Sequence, residues 1–442
     1  MSRILFLMFL IPLLSKSQIK ISDAGASGGI AFEESLNWDQ IIEKAGKENK
    51  MIFVDCYATW CGPCKMMDRD IYPGKLVGEY FNSHFISVKI QFDSTLKDND
   101  RTRSWYSEAH ALQQQYKIMV MPSYLFFSPA GKIVHRDIGQ KNEPDFIKLG
   151  KNAFDPTKQY YTLIDNYKNG KIDYSVLHYL AISAKTFKET ELAQQIAEEF
   201  INNYLEKLPD SSFCKSDHFE FIDIFSSTLL NSREKAFRLY FYYPGKVDTI
   251  MGNGYASRHV EFIINKEEIQ PLVNMSKKGG PDPNWDSLYV TIKYKYGDHY
   301  AESTILNGKI SWFGYKKDWE NLVKYNVEKI DRDGLDTTGI DWAVSNNMIW
   351  DVIFTHSSDK RVLEKAVSWM EIILTIQPND PPSIDTYANL LYKLGRIRKA
   401  ITWEKKAQKL ELENSIKENR EPENVYTQTL EKMQKGTKTW EN

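Results

Sequence analysis

Cysteine is scarce in this 442-residue chain, which has only four, at positions 56, 61, 64 and 214. Small exported domains often use many cysteines as scaffolding; a chain this long with so few does not depend on a disulfide framework. Long apolar runs are also missing. The run from Ile4 to Leu14 covers 11 residues. No later stretch approaches the roughly 18 apolar residues that a membrane span needs. Charge of one sign is missing as well: 57 Lys and Arg against 59 Asp and Glu leave a net charge of −2. Acids sit beside the local lysine clusters, as in "SIKENR" and "EKMQKGTK". That excludes a basic stripe for nucleic acid and a polybasic membrane patch. Cys214 is isolated and the histidines form no short-spaced pair, so a four-ligand zinc site is not spelled out.

What is present starts at the N-terminus. "MSRILFLMFLIPLLSKSQ" carries a cation at Arg3, then the apolar run, then small residues at Ser15 and Ser17. It reads as a secretory signal over residues 1–17, cleaved after Ser17. The expected location is periplasmic, with no membrane span in the mature chain.

The length implies two or three domains. From residue 18 to 157 the pattern is α/β. "NWDQIIEKAGKEN" is an amphipathic helix with Trp38, Ile41, Ile42 and Ala45 on one face, and "KMIFVDCYA" is a buried strand. "CGPCKMMDRDIY" opens a helix, "HFISVKIQFD" is a second strand, and "SWYSEAHALQQQYK" is a helix. "SYLFFSPAGKIVHRDIG" reads as a hairpin with a Pro-Ala-Gly turn, and "EPDFIKLGKNAF" closes the domain. Residues 158–442 change character: long amphipathic segments dominate and strand signals are scarce, so this part is expected to be α-helical.

The pair Cys61 and Cys64 carries the clearest chemistry. Residues three apart at a helix start face the same way and lie within disulfide reach. The helix N-terminus favours a thiolate at Cys61, while Cys64, one turn in, is expected to be less exposed and to keep its proton. Pro63 suits the first helical turn, and small Gly62 lets a substrate disulfide approach. Haem attachment would want His after the second cysteine, where Lys65 stands. A structural disulfide closing so short a loop gains little chain entropy.

"VDCYATWCGPCK" (Val54–Lys65) resembles the thioredoxin active-site segment. The family has Trp before the first cysteine, here Trp60, and Gly-Pro between the two. Its buried acid matches Asp55, the lysine near that acid matches Lys89 in "SVKIQFD", its cis-proline matches Pro122 in "VMPSYLFF", and a later glycine matches Gly139. The resemblance spans roughly Trp38 to Phe154 and is closer to exported bacterial thioredoxin-domain proteins. Two departures stand out: Cys56 replaces an aromatic, and roughly seventeen extra residues, including "STLKDNDRTRSWYSEAH", precede Pro122.

The resemblance implies a thioredoxin-like fold, a central mixed sheet flanked by helices, and thiol–disulfide oxidoreductase activity with no cofactor beyond the cysteine pair. Cys61 is then the nucleophile and Cys64 the resolving thiol. Asp55, with a raised pKa, accepts the Cys64 proton, and Lys89 tunes Asp55. An exposed strand lysine is the competing reading of Lys89. Trp60, Gly62, Pro63, Met121 and Pro122 shape the substrate groove, with the Met121 carbonyl free to pair with an extended chain. Cys56 is expected to face away from Asp55 as a core thiol. Cys214 could be a free thiol or pair with a partner.

The helical part shows one internal repeat. "EKAVSW" and "RKAITW" are offset by 34 residues, which matches Ala366 with Ala400 and Trp369 with Trp403. Gly395, Ala407 and Pro378 fall where tetratricopeptide repeats place them, so residues 360–412 resemble that family. The expected partners are protein disulfide substrates, a membrane thiol donor, and a protein bound by the helical region. The alternative is a binding scaffold, in which the helical repeats carry the function and the first domain is structural or redox-regulatory.

Overall fold

The computed structural model describes residues 28–171, 173–337 and 339–440. The leader expected over residues 1–17 lies outside them. The chain divides into two compact units, one up to Leu229 and one from Leu230 onward.

The first unit is built on a four-stranded sheet. Helix α1 (Trp38–Glu48) starts with a capping box, in which Asn37 and Gln40 exchange side-chain and backbone hydrogen bonds at 3.0 Å. Then come β1 (Met51–Tyr57) and α2 (Gly62–Met66), which runs into a π-helical turn, Met67–Ile71. They are followed by α3 (Lys75–His84), β2 (Phe85–Gln91), α4 (Asp100–Ser104) and α5 (Tyr106–Tyr116). Strands β3 (Ser123–Phe127) and β4 (Ile133–Ile138) and helix α6 (Glu143–Asn152) complete the layer. The strand order is β2-β1-β3-β4; β1 pairs with β2 in parallel and with β3 antiparallel.

One difference from the sequence reading is α3, because a single helix was expected between β1 and β2. Pro73 and Gly74 interrupt it, and the Gly74 N–H closes a turn on the Ile71 carbonyl at 3.0 Å. The chain then restarts with Val77, Gly78 and Phe81 buried.

β1 alternates strictly, as a strand buried on both faces must. Ile52, Val54 and Cys56 join the core with Ile41, Ala45, Val88 and Leu125. Met51 and Phe53 join the other, with Phe81, Phe126 and Phe146. The Phe53 ring lies 5.0 Å from Phe81 and 5.2 Å from Phe126. Burying each such ring contributes roughly 2–3 kcal/mol. Asp55 points to the aromatic side, and Cys56 to the opposite one.

Among the described residues five more α-helices finish the first unit: α7 (Tyr160–Lys168), α8 (Tyr174–Thr186), α9 (Thr190–Asn203), α10 (Asp210–Phe213) and α11 (Ser216–Leu229), with a 3-10 turn, Leu205–Lys207, between α9 and α10. Cys214 sits at the C-terminal end of α10. Arg136 of β4, 2% exposed, ties these helices to the sheet. It donates to the Tyr116 carbonyl at 2.8 Å, pairs with Glu189 at 3.4 Å, and lies 4.2 Å over the Phe187 ring.

The second unit is helical throughout its described residues, and no strand is described beyond Ile138. Its last part contains helices over Lys360–Ile376, Pro381–Lys393 and Ile397–Glu418. Ala366, Ala400 and Ala407 are fully buried between them, and Gly395, with φ +78, makes the turn into the last of the three. No helix of the described residues is long and apolar enough to cross a membrane.

Candidate active site

The site forms where β1 ends and α2 begins. Leaving the sheet, the chain turns through Ala58, and the Cys61 N–H bonds to the Ala58 carbonyl at 3.1 Å. Cys61 is the N-cap of α2, with extended backbone, and Pro63 occupies the first turn. The Cys64 N–H donates to Cys61 Sγ at 3.1 Å. That sulfur therefore occupies the acceptor position at the helix N-terminus, where negative charge is favoured. Cys61 and Cys64 are joined in a disulfide with their α-carbons 5.3 Å apart.

The expected difference in exposure between the two cysteines is not present in this form. Cys61 is 2% exposed and Cys64 is 3%. The bond draws both sulfurs into a small cluster with Ala58, against which Tyr57 and Met121 pack. The asymmetry lies in the hydrogen bond rather than in the burial.

Trp60 is 72% exposed beside the pair. A side chain at Gly62 would meet nothing within 4 Å, so the approach over that residue is open. The Met121–Pro122 peptide bond is cis, and Pro122 leads directly into β3. Gly139, just past β4, has φ +83 and donates its N–H to the Pro122 carbonyl at 2.9 Å. Only glycine takes that conformation without strain.

Asp55 lies in the middle of the sheet, opposite Lys89 on β2 and Tyr124 on β3. It is 1% exposed. Burial pushes its carboxyl up to about 7; the nearby Lys89 ammonium pulls the other way without cancelling this. Lys89 Nζ is 3.7 Å from Asp55 Oδ2 and makes a much shorter ion pair with Asp68. Asp55 Oδ1 accepts no hydrogen bond among the described residues. The Tyr72 hydroxyl faces it without closing one. Lys89 is thus not a plain surface lysine: it lies 4.7 Å over the Tyr57 ring and 5.5 Å over Tyr72.

Cys56 is fully buried on the opposite face, and burial raises its thiol well above the ordinary value. It does not reach the site.

Four residues of this surround were missed by sequence reasoning. Asp68 and Tyr72 enter from the π-helical turn and the residue after it. Asp93 accepts the Thr59 N–H at 3.0 Å and also the Thr59 hydroxyl, which pins the loop carrying Trp60. The Thr59–Asp93 pair spans 34 residues. The available signal was an acid two residues past the second strand, at the same end of the sheet as the cysteines.

A family model described as a thioredoxin-like domain matches residues 38–154. A thioredoxin H-type protein from Fagopyrum esculentum is 27% identical over 124 residues, covering 28% of this chain and 90% of that protein. The thiol:disulfide interchange protein DsbD of Pseudoalteromonas atlantica is 32% identical over 104 residues, which is 23% of this chain and 16% of that one. The solution structure of a candidate disulphide isomerase from Bacteroides thetaiotaomicron aligns at 31% identity and a TM-score of 0.25, covering 30% of this chain and 98% of that one.

Proposed function

We propose that this thiol–disulfide oxidoreductase, with its thioredoxin-like domain over residues 38–154, reduces or isomerises disulfides of exported proteins at Cys61 and Cys64. The observation that carries this reading is the disulfide at the start of α2, with Cys61 Sγ accepting the Cys64 N–H and the buried Asp55 carboxyl in the adjoining strand.

In the reduced protein Cys61 attacks a client disulfide as thiolate. One client sulfur leaves as thiolate and Cys61 holds the other in a mixed disulfide. Asp55, as carboxylate, takes the Cys64 proton. The Cys64 thiolate then attacks Cys61 Sγ, the bond to the client breaks, and the second client sulfur leaves reduced. Two electrons have passed to the client, and the Cys61–Cys64 disulfide has formed. Trp60, Gly62, Pro63, Met121 and Pro122 bound the groove in which the client strand lies.

The leader expected over residues 1–17 supports a location outside the cytoplasm. Exported compartments are kept oxidising, so the resting disulfide must be re-reduced by a donor, and a membrane-bound thiol protein fits that need. The helical part, tetratricopeptide-like at 360–412, binds a protein partner and holds the domain near its clients.

The full chain is expected to reduce insulin with dithiothreitol as electron source, and Cys61→Ser to return the rate to background. Cys64→Ser is expected to stall the mixed disulfide and carry the client through a non-reducing gel. Wild-type protein with two titratable active-site thiols but no insulin reduction would overturn the reading.

A further inference from the structure

We propose that Asp68 is a positioning residue, which draws the Lys89 ammonium off Asp55 and leaves the buried carboxyl able to carry a proton for Cys64. The proposal rests on the exchange reading above and adds a residue to it.

Three observations carry it. First, Lys89 is shared unequally. Its short ion pair goes to Asp68, and the 3.7 Å to Asp55 Oδ2 lies beyond hydrogen-bond range. Second, aromatic rings favour the ammonium at this place. The Tyr57, Tyr72 and Phe32 ring centroids lie 4.7, 5.5 and 5.7 Å from it, which holds the cation within reach of both carboxylates. Third, Asp68 and Lys89 line a cavity of about 470 Å³ together with Phe32, Tyr57, Gln91 and Trp105, and Asp55 does not. The Lys89–Asp68 pair therefore stands between the buried acid and solvent.

Asp68 owes its place to the π-helical turn Met67–Ile71, an irregularity that re-aims side chains one turn past a helix start. The other groups facing Asp55 are the hydroxyls of Tyr72 and of Tyr124 on β3, both hydrogen-bonded to nothing among the described residues. Cys56 and Tyr57 follow it on its own strand, and burial pushes both of them well above neutral pH. Among the described residues Lys89 is the cation in ion-pair range of Asp55, and Asp68 competes for it.

The pull is electrostatic and reversible. If Asp68 were uncharged, Lys89 would close on Asp55 and favour its carboxylate, which would then be a weaker acceptor for the Cys64 proton.

The test uses full-length oxidised protein labelled with ¹³Cγ-aspartate, with the Asp55 signal assigned by its loss in Asp55→Asn. Asp68→Asn is expected to move the Asp55 titration midpoint to lower pH by about one pH unit. Asp68→Glu should leave it near the wild-type midpoint. Repeating Asp68→Asn in a Lys89→Met background separates position from simple repulsion between carboxylates. If the movement shrinks by more than half, Asp68 acts through Lys89. If it persists in full, or if Asp68→Asn moves nothing in the wild-type background, the proposal is overturned. The titration is read whether or not the protein turns over insulin, so failure here and failure of the exchange reading are distinguishable.

Discussion

Arg136 and Asp55 are charges pushed into one sheet, on β4 and β1, and they are neutralised very differently. The guanidinium of Arg136 has the Tyr116 carbonyl, the Tyr161 hydroxyl and the Glu189 carboxylate at its Nη1 and the Phe187 ring beneath it, with the buried Nε left without a hydrogen-bond partner among the described residues. The carboxyl of Asp55 has one ammonium at 3.7 Å, which is committed more closely to another acid. Burial of an ion is tolerated when several partners replace water; with few partners the group holds a proton instead. The first arrangement joins elements. The second stores a proton-binding site in the strand that leads into a disulfide. A buried charge in this domain can therefore be sorted by how completely it is paired.

The comparison breaks first at Arg136. Arg136→Ala takes the guanidinium from the Tyr116 carbonyl and from the Glu189 carboxylate, which among the described residues keeps only the Tyr160 hydroxyl at 2.9 Å. It is expected to cost the first unit about 3–5 kcal/mol in urea unfolding, the range for opening a buried ion pair. A loss under about 1 kcal/mol would mean the pair is not what holds α9 to β4. Insulin reduction by the folded fraction should stay near wild type, since Arg136 does not touch the cysteine cluster.

Asp55 should behave in the opposite sense. Its carboxyl is held at about 7 in the folded protein, against an ordinary value of 3.8. Below about pH 4 both states are protonated and the group costs nothing. As pH rises from about 4 to 7 the unfolded chain releases the proton while the folded chain keeps it, so stability falls. Above about pH 7 the full penalty, about 4 kcal/mol, is present. Asp55→Asn removes that penalty. It is expected to stabilise the first unit by about 2–4 kcal/mol at pH 8 and hardly at all at pH 4, while slowing client release by about a hundredfold. Equal stability of the two proteins at pH 8 would show that folding does not raise the Asp55 carboxyl.

The two charges also differ in how far they could be read from the sequence. Strand β1, the turn into α2, the cysteine pair and Pro122 are carried by local signals: alternating burial, a helix-start proline, and a spacing of three. The opposition of Asp55 and Lys89 follows once β1 and β2 are taken as parallel neighbours. Arg136 gave no such signal. Its Glu189 partner lies 53 residues away, and a strand arginine in "KIVHRDIG" looks solvent-facing until α7 to α9 cover β4. Asp68 was hidden for a similar reason, because only a π-helical turn brings it to Lys89 across 21 residues. The composition change near Thr157 marks where strands stop, while the side-chain contacts around Arg136 and Tyr160 continue across it.

The smallest effect sharpens the comparison most, because it sets one cation of the sheet against the other. Lys89 is partly exposed and its partner Asp68 more so, with side-chain exposures of 24% and 42%. Ion pairs open to solvent contribute little, so Lys89→Met is expected to change stability by about 1 kcal/mol or less. Its consequence should appear in the pH profile instead. Without the ammonium, the largest influence opposing the burial that raises Asp55 is gone, and the Asp55 titration must move to higher pH. The pH at which client release reaches half its maximum, read from single-turnover reduction, is then expected to rise with it. A Lys89→Met protein that loses stability as Arg136→Ala does, with an unmoved pH profile, would make Lys89 a second structural cation. The pairing rule would then fail at the one position where it separates a proton site from a joint.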